Sequence, residues 1–291
     1  MLYSDSSACE SSSKQGCNIS ITTNKKLKPI EIYAFLNPIC AESWAMEPSM
    51  KKLIAEYGQY FTMRIILGYG INHANKSVKW GKTVQMPEMP FNEHCHEVKS
   101  CYRASLAVKA AELQGKCAGE RFLRVLREQL FIDTQDINSD EVFNECAKRA
   151  HLDLSEFQND MESSRPLKGL QCDRRITHEM DVNELPTLVF FNIYDDNEGI
   201  KISGRYPYNV YVQILTEALG IQPEKQPLPK IEDFLKKHQL VATQEIASVY
   251  DKDTEEILKE LKKLKLKQVV APIHVKYGTF WRYINEKNRY Y

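Results

Sequence analysis

Residues 36–48 read Leu-Asn-Pro-Ile-Cys-Ala-Glu-Ser-Trp-Ala-Met-Glu-Pro, and this stretch separates a β-prone run from a helical one. The residues before it are β-branched, aromatic or aliphatic at most positions, which predicts a strand. From Ala41 to about Tyr57 apolar residues recur at helical spacing, and Pro48 predicts a kink within that helix. Cys40 therefore lies at the start of a helix, where the terminal amides stabilise a thiolate.

The order of the following elements predicts an α/β fold. Periodicity indicates a strand, a long helical insertion, two strands and a closing helix, over residues 61–67, about 93–178, 187–193, 199–203 and 208–219. Pro186 stands at the start of the first strand after the insertion. A cis peptide bond at this proline would bring its backbone against the Cys40 loop.

Composition divides the chain into a tail, two domains and a linker, with boundaries at residues 1–27, 28–221, 222–229 and 230–291. The tail is rich in Ser, Asn and Lys and has few large apolar residues, so we predict that it is flexible. The linker is rich in proline. Three short helices and a hairpin are expected in the last segment, which predicts a small winged-helix-like module.

Charge and hydropathy exclude several classes of protein. Of the 291 residues, 39 are Lys or Arg and 39 are Asp or Glu, so no global basic field favours nucleic acid or an anionic membrane. The apolar runs have the length of strands and are too short to span a bilayer. Because the first residues lack the apolar block of a secretory signal, we expect a cytoplasmic protein whose cysteines are mostly thiols.

Several histidines and cysteines are candidate ligands of a metal ion. They are Cys9, Cys17, His94, Cys95, His96 and Cys101. Imidazole and thiolate groups suit zinc, but these residues lack the paired short spacings of a typical structural zinc site. We therefore expect no cofactor, with zinc as the one candidate. The sequence also lacks the glycine-rich phosphate loop and the common hydrolase motifs.

The order of elements and the position of Cys40 resemble the thioredoxin superfamily, and the long helical insertion resembles its DsbA branch. Residues 104–115 and 122–133 are also similar to the helical domain of that branch. The resemblance implies that Cys40 occupies the nucleophile position, Ser43 the resolving position and Pro186 the cis-proline position. A serine cannot form the second sulfur bridge of dithiol exchange, so the motif is incomplete.

Taken over nearly its full length, the chain resembles the YjbH/SpxH adaptor family of low-GC Gram-positive bacteria. The segment around Cys40 carries the most distinctive part of this resemblance. The resemblance implies a non-enzymatic adaptor that binds the transcription regulator Spx and promotes its degradation by the ClpXP protease. No nucleic acid or membrane partner is expected.

Two other functions remain open on the sequence alone. The first is a cytoplasmic DsbA-like thiol-disulfide oxidoreductase, or a monothiol exchange protein, that acts through Cys40. The second is a redox-sensing regulator that binds DNA through residues 230–291, where a run of lysines lies on the last helix. Glutamates interleave with these lysines, which favours an exposed, ion-paired helix face over a DNA-binding one.

Overall fold

The structure is a computed structural model that describes residues 28–68, 89–90, 101–195 and 198–284. The predicted tail over residues 1–27 lies outside the described residues. The elements run in chain order as β1 (Ile30–Leu36), α1 (Ala41–Ala45), α2 (Glu47–Tyr57), β2 (Phe61–Leu67), α3 (Tyr102–Leu113), α4 (Lys116–Phe131), α5 (Asp140–Arg149), α6 (Leu154–Glu162), α7 (Arg165–Glu179), β3 (Thr187–Asn192), β4 (Ile200–Ser203), α8 (Tyr208–Leu219), α9 (Ile231–His238), β5 (Leu240–Ala242), α10 (Thr243–Tyr250), α11 (Thr254–Leu266), β6 (Val270–Val275) and β7 (Gly278–Tyr283).

The first sheet has four strands in the order β2-β1-β3-β4. β1 pairs with β2 in parallel, whereas β3 runs antiparallel to both β1 and β4. Parallel strands need a crossover connection, and α1 and α2 provide it. Helices α3–α7 then form one insertion between β2 and β3. This is the predicted α/β thioredoxin fold with a DsbA-like helical insertion, although the predicted start of the insertion at about residue 93 lies outside the described residues.

The helix predicted from Ala41 to Tyr57 is divided at Met46 into two helices, close to the place where Pro48 predicted a kink. Met46 keeps helical backbone angles, with φ −80° and ψ −18°. Its amide donates to the carbonyl of Glu42, and its carbonyl accepts from the amide of Met50, both at 3.1 Å. Pro48 has no N–H to donate to the preceding turn, so the helix is interrupted where the proline stands.

The C-terminal unit contains the predicted three helices and hairpin together with a strand that the sequence did not indicate. β5 pairs with β7 and completes a sheet in the order β5-β7-β6. It has only three residues, all of them buried, so neither alternation nor length distinguishes it from a buried loop. No helix among the described residues is both long and apolar enough to cross a membrane.

One hydrophobic cluster spans the two predicted domains. Trp44 of α1 is fully buried and stacks on Phe131 of α4, with their ring centroids 5.3 Å apart. Phe280 of β7 lies 6.4 Å from the same indole, measured between ring centroids. Leu240 and Ala242 of β5 belong to this cluster as well. The C-terminal unit is therefore packed against the thioredoxin unit through buried side chains.

The predicted linker has irregular structure, but it is held against α2 by hydrogen bonds. The amide of Gln226 donates to the carbonyl of Glu56 at 2.8 Å. Lys225 forms an ion pair with the buried Glu56 carboxylate at 2.8 Å, and Tyr208 donates its phenol proton to that carboxylate at 2.6 Å. The amide of Glu224 donates to the Tyr60 hydroxyl at 3.0 Å. The linker thus contributes to the association of the two units.

A buried cluster of arginine, lysine and glutamate side chains lies where α2, α4 and α10 meet. Arg124 of α4 contacts Glu47 of α2 and donates from Nε to Glu128 at 3.0 Å. The same guanidinium lies 3.6 Å from the fully buried Glu245 of α10 and donates from Nη2 to the carbonyl of Leu240 at 2.9 Å. A single arginine therefore links the thioredoxin unit, the helical insertion and the C-terminal unit.

The charges in this cluster compensate one another. Arg127 is 2% exposed and donates to Glu47 at 2.8 Å, and Lys51 contacts both Glu47 and Glu245. Burial alone would raise the pKa of Glu47, but Arg124, Arg127 and Lys51 outweigh it and lower that pKa to about 2. Glu47 is therefore ionised in the folded protein at neutral pH.

The variant Arg124→Met should destabilise the protein strongly, because it leaves buried carboxylates with too few cations. We expect a loss of about 3 kcal/mol in the free energy of unfolding. Urea denaturation followed by tryptophan fluorescence measures it, since the Arg124 guanidinium lies 4.5 Å from the centroid of the Trp44 ring. The matched control is Arg103→Met, whose exposed pair with Asp140 contributes about 0–1 kcal/mol. Equal losses in the two variants would contradict the role given to the cluster.

Candidate functional site

Cys40 lies at the N-cap of α1 in extended backbone geometry and is partly buried. Asn37 shapes the turn that leads to it: the Ile39 amide donates to Asn37 Oδ1 at 2.9 Å, and the Cys40 amide donates to the Asn37 carbonyl at 3.2 Å. The Trp44 amide donates to the Cys40 carbonyl at 3.0 Å and closes the first helical turn. The thiol therefore stands at the positive end of a helix, as predicted.

Ser43 follows one turn later, on the buried side of α1. It is 1% exposed, and its Oγ accepts a hydrogen bond from the Asn37 amide at 3.4 Å. The hydroxyl thus has a structural partner in the position that the resemblance assigns to a resolving cysteine. Cys40 and Ser43 cannot form a disulfide, so this loop cannot carry out dithiol exchange by itself.

Pro186 follows the cis peptide bond that the sequence suggested. Phe35 of β1 pairs with Thr187 of β3, so the end of β1 and the start of β3 lie at the same edge of the sheet. The carbonyl of Pro186 accepts a hydrogen bond from the Gly204 amide at 2.7 Å, which joins this loop to the end of β4. The Cys40 loop and the Pro186 loop therefore lie at the same edge of the sheet.

Charged and aromatic side chains surround this edge of the sheet. Arg205, which follows β4, forms an ion pair with Glu42 of α1 at 3.3 Å. Tyr206 is next in the chain and is 43% exposed. Beneath the loop, Arg127 donates from Nη2 to the carbonyl of Asn37 at 3.1 Å. The surface beside Pro186 thus combines an ion pair with an exposed aromatic side chain.

Of the six metal-ligand candidates, only Cys101 belongs to the described residues. Its Sγ accepts a hydrogen bond from Asn37 Nδ2 at 3.6 Å, and burial raises the pKa of its thiol. The part of the chain that the structure describes has no group of three or more His, Cys, Asp or Glu side chains that could hold a metal ion. Cys9, Cys17, His94, Cys95 and His96 lie outside it, so a zinc site that uses them stays a prediction.

Asn37 and the pairing of Arg205 with Glu42 were not predicted from the sequence. Asn37 accepts from the amides of Ile39 and Cys40 and contacts the Ser43 hydroxyl and the Cys101 thiol. An asparagine between a strand and a proline is a recognisable turn signal, so its backbone role could have been predicted. The contact with Cys101 and the pair of Arg205 with Glu42 join residues that are far apart in the chain, and no local pattern indicates them.

Comparison with protein families and curated proteins places this chain among known sequences. A family model described as Thioredoxin matches residues 33–213. The chain is 46% identical to the ClpXP adapter protein SpxH of Halalkalibacterium halodurans over 277 residues, which cover 89% of this chain and 90% of that protein. It is 43% identical to the ClpXP adapter protein SpxH of Bacillus subtilis, with coverage of 88% and 89%. The similarity thus extends over both units of the structure.

A solved structure supports the fold of the first unit. A protein of Nitrosomonas europaea, provisionally named a protein disulfide isomerase, superposes with a TM-score of 0.55 at 16% sequence identity. The alignment covers 66% of this chain and 98% of that protein. At this low identity the similarity concerns the fold alone, and it agrees with a thioredoxin-like architecture for the residues before the C-terminal unit.

The variant Ser43→Cys should complete a dithiol motif in this loop. Cysteine is close to serine in size, so the buried site should accept it, and the introduced thiol would lie one helical turn from the Cys40 thiol. We expect the variant to gain catalytic insulin reduction with dithiothreitol, at least tenfold (~1.4 kcal/mol in barrier height) above the wild-type protein. The control is Ser43→Cys combined with Cys40→Ala. Equal turnover by wild type and Ser43→Cys would contradict the view that Ser43 is what limits exchange.

Proposed function

This chain belongs to the thioredoxin family and to the family of the ClpXP adapter protein SpxH, and from this premise we propose that it binds the transcription regulator Spx and increases its degradation by ClpXP. The observation that carries the proposal is an identity of 46% to a ClpXP adapter protein over 89% of this chain and 90% of that protein. An adapter acts through its binding surfaces, so similarity to adapter proteins over both units supports the same function for this chain. The same similarity favours an adapter over an oxidoreductase.

We also propose that the thioredoxin-type loop is not catalytic. Ser43 supports this, because it stands at the resolving position and is hydrogen-bonded inside the protein. Recognition needs no cofactor, and we propose none. A cytoplasmic location belongs to the same proposal, since an adapter must meet the protease and its substrate in one compartment.

We further propose that Spx contacts the surface beside Pro186 that carries Glu42, Arg205 and Tyr206. Thioredoxin-type folds present an edge here where the backbone of a partner can lie, and catalysis is not needed for that contact. Arg205 and Glu42 supply charge at the rim, and Tyr206 supplies an exposed aromatic surface. Arginine and tyrosine are enriched among the residues that dominate binding energy in protein interfaces.

The direct test is the rate at which reconstituted ClpXP degrades Spx with and without this protein. We expect acceleration by the wild-type protein and by Cys40→Ala to the same degree, because recognition does not use the thiol. The control is a ClpXP substrate unrelated to Spx, whose degradation rate should not change. Absence of acceleration by the wild-type protein would refute the proposed function.

A second assay tests the proposed contact surface. Arg205→Glu places two like charges beside each other, because Arg205 pairs with Glu42, and we expect at least tenfold weaker binding of Spx, a change of ~1.4 kcal/mol. The matched control is Arg174→Glu, which reverses an exposed charge on α7. Titration calorimetry with purified Spx gives both affinities. If the two variants bind Spx equally well, the partner does not use the surface around Arg205.

A monothiol exchange protein remains the second candidate function, and one observation favours it. Cys40 is partly exposed at a helix N-terminus, where a thiol is well placed to react with a disulfide. This function requires that Cys40→Ala abolish turnover of a glutathione mixed disulfide. The adapter function has no such requirement, so the two candidates are distinguished by this variant.

A further inference from the structure

One face of α11, the last helix of the C-terminal unit, carries a row of lysines. Lys259, Lys262 and Lys263 are exposed and are three or four residues apart, so they lie on the same face of the helix. Leu266 follows one turn later on that face. The opposite face is apolar and belongs to the buried core of the C-terminal unit. The lysine face is therefore turned to solvent.

These lysines lack the ion pairs that the sequence predicted for this helix face. Ion pairs form only near the start of α11, where Lys252 contacts Glu256 and, at 3.2 Å, Glu260. Within the part of the chain that the structure describes, no carboxylate forms an ion pair with Lys259, Lys262 or Lys263. The prediction is thus confirmed for exposure and wrong for the pairing of these lysines.

The stability of the helix does not account for this row of charges. Like charges three or four residues apart destabilise a helix. The helix dipole favours cations near its C-terminal end, but this effect is confined to the last turn. Lys263 and Lys265 lie in the last turn of α11, whereas Lys259 and Lys262 precede it. The repulsion among the lysines would be relieved by carboxylates brought by another molecule.

We propose that Lys259, Lys262, Lys263 and Leu266, here called the lysine patch, bind an acidic segment of another protein. Carboxylates of that segment would face the lysines, and one of its apolar side chains would pack on Leu266. Leu266 is 85% exposed, more than any other large apolar side chain among the described residues. Complementary charge gives such a contact its specificity and a fast association rate. The patch shares no residue with the surface proposed to bind Spx, so the two proposals can fail independently.

Two other classes of partner fit the lysine patch less well. Helices that read DNA contact base edges through their N-terminal residues, and this end of α11 carries the exposed Glu255 and Glu256, which repel phosphates. A helix that lies on a membrane inserts an apolar face. In α11 that face is buried within the protein, and Leu266 is the one exposed apolar residue of this fully described helix. An acidic protein segment meets neither obstacle.

Fluorescence anisotropy with a labelled peptide gives a direct test. The probe is a short fluorescein-labelled peptide that repeats Glu-Glu-Leu-Asp, and the comparison peptide has Gln and Asn in place of Glu and Asp. We expect the full-length protein to bind the acidic probe at least tenfold more tightly, because only this probe complements the charge of the lysine patch. Its affinity should fall as salt is raised from about 0.02 M to about 0.2 M, because salt screens exposed charges.

Paired variants locate the binding site. Lys262→Glu with Lys263→Glu should weaken binding of the acidic probe at least tenfold, and Lys262→Gln with Lys263→Gln should weaken it in the same direction. The matched control is Lys168→Glu with Arg174→Glu, which makes the same change in net charge at exposed positions of α7 and should bind as the wild type does. Leu266→Ser keeps every charge and should weaken binding at least threefold. Urea denaturation shows whether each variant is folded.

Several results would overturn the proposal. Equal affinities of the two glutamate double variants would mean that net charge, and not the lysine patch, determines binding. Absence of binding by the acidic probe at low salt would have the same consequence. Duplex DNA or phosphatidylserine vesicles that bind the patch more tightly than the probe would assign it to a different class of partner. Self-association that is lost in Lys262→Glu with Lys263→Glu, measured by sedimentation velocity, would assign it to a second copy of this chain.

Discussion

The contact between Arg124 and its carboxylates is the constraint on which the rest of the structure depends. A guanidinium in this position must be matched by negative charge, and Glu47, Glu128 and Glu245 arrive from three different elements. An arrangement that separated α2 or α10 from Arg124 would leave a buried charge unpaired, which is strongly destabilising. Trp44, beneath the same guanidinium, extends this constraint into the shared hydrophobic core.

The positions of the site residues follow from that arrangement. α1 leads from the Cys40 loop directly to Glu47 at the start of α2, and Arg127 contacts both Glu47 and the Asn37 carbonyl. The loop is therefore joined through Arg127 and Glu47 to Arg124 and Lys51, which contact the C-terminal unit. In the adapter function proposed above, this connection would fix the geometry of the surface beside the loop.

Much of the fold could be predicted from the sequence, because most of its helices and strands have a recognisable local pattern of apolar residues. Alternation and apolar spacing located the strands of the first sheet, and the position of Pro186 indicated its cis peptide bond. The interruption at Met46 was predicted only as a kink, because a proline in the first turn of a helix and a proline in its interior give the same periodic pattern. β5 was missed because a run of three buried residues is too short to show the alternation of a strand.

The site was predicted as Cys40, Ser43 and Pro186. The contact of Asn37 with Cys101 and the buried cluster around Arg124 depend on partners that only folding brings together.

The hydrogen-bonded segment between α8 and α9 limits how this protein can be dissected. Cutting the chain between residues 222 and 229 would give an N-terminal piece with an uncovered Trp44 and a C-terminal piece with an uncovered Phe280. Each piece would carry an exposed apolar face and buried charges without their counterparts, a combination that favours aggregation. Loss of activity in such truncations would report misfolding and not the location of a binding surface, so the division of labour between the two units has to be mapped by single substitutions in the intact chain.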